Sequence, residues 1–71
     1  MVNIGQIIII DAYYDSWYLG RRAEVKAVMP EGILVFASAS EDGYGLYDLP
    51  CFLEHSDYRI DIALSEWSEL F

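Results

Sequence analysis

The chain has 71 residues, 55% of them hydrophobic and 23% charged. That supports one small core and is too short for a Rossmann sheet or a TIM barrel. Twelve acids against four bases give a formal net charge of −8. Such a balance disfavours unaided binding to nucleic acid or anionic lipid, which relies largely on a cationic surface. A single cysteine excludes an intramolecular disulfide framework and fits a reducing, cytoplasmic setting.

Residues 6–11 open the chain with Ile7-Ile8-Ile9-Ile10. Four β-branched side chains in a row suit a pleated strand better than a helix. The run is the longest purely apolar stretch and far too short to span a membrane. The N-terminus also lacks the basic region of a secretory signal. Residues 11–18 are polar and aromatic with no clear period, and read as a long loop. From Arg22 the pattern alternates, with Ala23, Val25 and Ala27 facing in and Arg22, Glu24 and Lys26 facing out. Period two predicts a half-buried strand.

Met29-Pro30-Glu31-Gly32 predicts a turn, with proline presetting φ and glycine supplying a left-handed φ. The third strand follows at 33–37, and the 22–37 hairpin is expected at the centre of the sheet. A polar loop at 38–43 leads to a short fourth strand at 44–47. Asp48-Leu49-Pro50 is expected to interrupt it, leaving residues 48–53 as a tight turn or a single 3₁₀ turn. Tyr58, Ile60 and Ile62 share one face of a fifth strand. Ser65 can cap a short helical tail with Leu64, Trp67 and Phe71 on one side. The organisation expected is a mainly β barrel over residues 1–63 and a tail over 64–71.

Five short strands with a long first loop suggest a small open barrel, and here a resemblance enters. Gly5, the isoleucine strand and Ala12-Tyr13-Tyr14-Asp15 are similar to the opening of signalling SH3 domains. Leu19-Gly20-Arg21-Arg22-Ala23-Glu24-Val25-Lys26-Ala27-Val28, Pro30-Glu31-Gly32 and Ile33-Leu34-Val35 resemble the turn and hairpin of bacterial SH3-like and KOW-type domains. Glu41-Asp42-Gly43-Tyr44 and Asp48-Leu49-Pro50 echo the distal strand and the turn before the last strand. Over residues 5–63 the chain resembles the SH3-like barrel superfamily, which implies a five-stranded open barrel. Ala23 stands where KOW-type motifs favour glycine, and Pro50 is followed by Cys51 rather than tyrosine. Proline-rich peptide binding is therefore not carried over, and KOW-type RNA contact would need a basic face for which only Arg21, Arg22 and Lys26 are available.

Cys51 and His55 could form a nucleophile and base, or half a zinc site. Zinc needs four ligands, and the chain holds one Cys and one His. No calcium loop and no phosphate-binding glycine loop occurs. The expectation is no catalysis, no cofactor and no metal.

The aromatics and acids say more. Tyr13, Tyr14, Trp17 and Tyr18 crowd the first loop, with Tyr44 and Tyr47 expected beside them. Some should complete the core, and others could anchor a partner. Residues 1–40 carry a net charge of −1, and residues 41–71 carry −7. Either the acidic half is a solubilising surface or it meets a basic protein. Glu41, Asp42, Asp48, Glu54, Asp57 and Asp61 are its candidate contacts.

The function expected is a non-enzymatic, acidic protein-binding module with a basic protein surface as partner. It would bind no nucleic acid or membrane directly and be a monomer or homodimer. One version is a phage- or plasmid-encoded inhibitor whose carboxylates imitate nucleic-acid phosphates. The alternative is a structural accessory subunit that docks through apolar surface.

Overall fold

A computed structural model describes residues 2–62. Five strands form one antiparallel sheet: β1 (Ile7–Ile10), β2 (Arg22–Met29), β3 (Gly32–Ser38), β4 (Tyr47–Glu54) and β5 (Tyr58–Ile60). Their order across the sheet is β4-β3-β2-β1-β5, so the sheet is open, with β4 and β5 at its edges. The β2–β3 hairpin lies at the centre, as the alternation and turn chemistry predict. The expected tail at 64–71 lies outside the described residues.

The period-two side chains build the core. Ile8 and Ile10, Ala23 and Val25, Ile33, Val35 and Ala37, and Cys51 and Leu53 are buried together, with Val2 closing over them. Each fully buried aliphatic side chain of this size is worth about 1.5–3 kcal/mol. The pairing runs Ile8 to Ala23, Val25 to Val35, and Val35 to Cys51, so the inward residues meet across neighbouring strands. A bulge between Val25 and Ala27 shifts the β2–β3 register. Bulges bend a strand and increase its local twist, which helps a short sheet curl over its own core.

Four expectations need correction. The fifth strand ends at Ile60, so Ile62, expected on one of its faces with Tyr58 and Ile60, lies beyond it and is 63% exposed. The fourth strand occupies Tyr47–Glu54 rather than 44–47, and residues 48–53 are strand rather than turn. Pro50 does not break β4, because among the described residues β4 is an edge strand with no further strand to receive the missing N–H. The 3₁₀ turn lies instead in the first loop at Ser16–Tyr18, where the Asp15 carboxylate accepts from the Trp17 N–H at 3.0 Å. Lastly, Gly32 does not have a left-handed φ. It is required because a Cβ there would run into the Leu53 carbonyl and the Phe52 ring.

Candidate functional site

The first loop, between β1 and β2, lies beside the loop that joins β3 to β4. Arg21 ties the two together. Its Nη1 donates to the Ser38 and Ser40 carbonyls at 3.2 and 2.6 Å, and its Nε donates to the Trp17 carbonyl at 3.1 Å. The same guanidinium lies over the Trp17 ring, 3.6 Å from its centroid. Buried Ser38 secures the second loop, donating to the Gly45 carbonyl at 2.6 Å and accepting from the Ser40 N–H at 3.2 Å. A backbone bond from the Arg22 N–H to the Gly43 carbonyl closes the seam at 3.4 Å.

Six of the expected contact residues are aromatic, and they divide. Tyr13 and Tyr18 pack against the core, their rings 4.9 Å apart and edge to face. Burial raises the Tyr13 hydroxyl pKa well above the usual tyrosine range, and its hydrogen bond to Cys51 adds to the rise. Burial raises Tyr18 as well. Tyr47 is half-buried at the start of β4. Tyr14, Trp17 and Tyr44 face outward, Tyr14 at 91% and Trp17 at 49% exposure. Arg22 covers the Tyr44 ring at 4.5 Å.

The acids are spread out. Glu41 and Asp42 line a shallow polar cleft with Trp17, Arg21, Arg22 and Gly43. One Asp42 oxygen is already used, accepting from the Tyr44 N–H at 2.9 Å. Asp48 and Glu54 are exposed on β4. Asp57 sits in the turn before β5, where its carbonyl accepts from the N–H groups of Asp11 and Ala12. Asp61 pairs with Arg22 at 3.3 Å and is partly neutralised there. Trp17, Glu41 and Asp42 are thus gathered at one cleft, whereas Asp48, Glu54, Asp57 and Asp61 lie elsewhere on the surface.

Cys51 and His55 have separate environments. The Cys51 thiol is buried; burial pushes its pKa up, and the Tyr13 hydroxyl pulls it part of the way back. The His55 ring nitrogens meet the Tyr58 hydroxyl at 3.0 Å and the Met29 carbonyl at 2.8 Å. Among the described residues, no three His, Cys, Asp or Glu side chains converge as a metal site requires. Nor does any described helix have the length and apolarity to cross a membrane.

Leu46 and Phe52 are exposed apolar residues that the sequence reading did not single out. Leu46 is 69% exposed and has a φ of 49°, a conformation rare for a branched side chain. Its only sequence signal is its place after Gly43 and Gly45. Phe52 is 44% exposed, and the β4 alternation that reveals it was hidden by Pro50. No family model matches the chain, and no curated protein or solved structure matches it either.

Proposed function

We propose that this chain is a non-enzymatic, acidic module that binds a basic protein surface. The observation that carries this reading is the clamped pair of loops. Arg21 fixes them in place, so Trp17 is held outward beside Glu41 and Asp42, with Tyr14 exposed on the same first loop. Rigid aromatics give contact area at little entropic cost, and neighbouring carboxylates select cations. The strand order and the long first loop support the resemblance to SH3-like barrels. The net charge of −8 supports the finer version, an inhibitor that imitates nucleic acid. That version draws on the exposed Glu41, Asp42, Asp48 and Glu54 more than on Asp61, which is already paired.

A second reading has its own observation. Leu46 and Phe52, exposed and apolar, favour an accessory subunit that docks through apolar surface. The two separate by salt. Immobilised protein is loaded with lysate proteins and eluted with a salt gradient, comparing wild type, the Glu41→Lys/Asp42→Lys pair, Glu31→Lys and Trp17→Ala. A basic-surface binder releases its partner as salt rises, and the acid reversal weakens it more than reversal of Glu31 does. Retention that ignores both salt and charge reversal would favour the accessory subunit.

A further inference from the structure

We infer that the free edge of β4 accepts an added strand from the partner, an extended segment with two cationic residues flanking an apolar centre. This rests on the reading of a basic partner but not on the cleft between the loops.

Val25 turns both its backbone groups toward the first strand region, donating to the Gln6 carbonyl at 3.0 Å and accepting from the Gly5 N–H at 2.8 Å. In an antiparallel sheet these directions alternate along each strand. Opposite Val25, Val35 therefore turns toward β4 and bonds Cys51. It follows that Leu49, Cys51 and Leu53 bond to β3, while Asp48, Pro50, Phe52 and Glu54 direct their backbone groups away from the sheet. Pro50 falls where a missing N–H costs the sheet no bond.

Part of that outer row is already used. The Asp48 N–H bonds the Leu46 carbonyl, and the Glu54 carbonyl accepts from Asp57. What remains is the carbonyls of Asp48, Pro50 and Phe52 and the N–H groups of Phe52 and Glu54. Among the described residues no strand lies beyond β4.

The side chains of the same four residues stand on the outer face, and all four are exposed. In order they read acid, apolar, apolar, acid. Leu34 pairs with Phe52 and Phe36 with Pro50, extending the apolar strip onto β3. Lys26 lies 5.5 Å from the Phe36 ring centroid and pairs with Glu24, so the strip is bounded by charge on the far side.

A second copy in the register that pairs all four outer residues is a poor occupant. An antiparallel β4–β4 pairing centred on Cys51 sets Asp48 opposite Glu54 twice and Pro50 opposite Phe52. Like charges directly across strands repel. A strand with lysine or arginine at those outer positions meets two carboxylates instead. Strand addition draws affinity from the backbone and specificity from alternate side chains.

The test uses the whole chain and an acetylated, amidated nonapeptide, Thr-Lys-Thr-Val-Thr-Val-Thr-Lys-Thr, followed by amide hydrogen exchange in NMR spectra. The expected result is slowed exchange at the Phe52 and Glu54 amides, by about tenfold or more at saturating peptide. N-methylation of the peptide bonds facing β4 should abolish it. The glutamate-for-lysine peptide should fail on wild type and bind the Asp48→Lys/Glu54→Lys variant, whose substitutions lie on exposed positions. Unchanged exchange at Phe52 and Glu54 overturns the proposal, as does equal protection by both peptides. Shifts confined to the two loops would overturn the edge while leaving the basic-partner reading intact. Absence of any binding sinks the edge alone, because the basic partner is judged by the salt gradient and the Glu41→Lys/Asp42→Lys variant.

Discussion

Gly32 and Gly43 show how one residue type serves two physical ends. At Gly32 the neighbouring strand leaves no space for a Cβ, because the Leu53 carbonyl and the Phe52 ring stand in the way. At Gly43 the surroundings are open and the constraint is a φ of 79°. Gly32→Ala should therefore cost about 2–3 kcal/mol as an overpacking substitution. Gly43→Ala should cost about 1–2 kcal/mol from left-handed strain alone. Urea midpoints of the two variants check both the order and the size. Sequence pattern located the turn at Gly32 but assigned the wrong cause, since the backbone clash comes from Leu53 on β4, far along the chain, and leaves no local mark.

The Cys51–Tyr13 contact makes an alkaline prediction. Both groups are held protonated more firmly in the folded state than in the unfolded chain, chiefly by burial. Their stabilising contribution is complete below the unfolded values, about 8.5 for cysteine and 10 for tyrosine. It is lost as pH rises through the folded values. The urea midpoint should hold steady from pH 7 to about 8 and fall from about pH 9 upward. Cys51→Ala should remove the earlier part of that fall. A midpoint that rises with pH would contradict the buried, protonated pair.

Among the elements, β4 was least legible in advance. Its inward residues Leu49, Cys51 and Leu53 alternate with exposed Asp48, Pro50, Phe52 and Glu54, which is a full strand signature. Proline obscured it, because a proline argues against a central strand and sequence does not reveal which strands are edges. The hairpin of β2 and β3 was legible because both strands alternate and the turn lies between them. The first loop was legible as a loop, but the choice of which aromatics face inward depends on Cys51, far along the chain.

The same edge predicts an assembly phenotype. Native sheets protect free edges with proline and charge, and β4 has both. Pro50→Thr combined with Asp48→Thr and Glu54→Thr should produce dimers or larger species at concentrations where the parent sediments as a smaller species. Sedimentation velocity decides it, and an unchanged sedimentation coefficient would show that another feature protects the edge.

At the scale of the whole molecule, charge and topology dominate. The surplus of acids in the second half should make association with a basic partner faster at low salt, with the gain lost once the Debye length falls to about 8–10 Å. Reversing Glu41 and Asp42 should slow association, while Trp17→Ala should mainly raise the dissociation rate. Stopped-flow mixing with the isolated partner across a salt series separates the two.

Topology has a further consequence for synthesis. β1 is paired on both sides, Ile8 lying between Ala23 and Ile60. The strand made first is therefore completed by the strand made last of the five. Until β5 leaves the ribosome, the uncharged run Gln6-Ile7-Ile8-Ile9-Ile10 has one open side, with the composition of an aggregating segment. The repulsive charge also follows that run, since residues 1–40 carry a net of −1 and residues 41–71 carry −7. A fragment of residues 1–40 should accordingly cloud at concentrations where the full chain stays clear. Asp inserted in place of Ile9, half-buried on β1, should clear it, so that light scattering from the two fragments measures how exposed this protein is while it is being made.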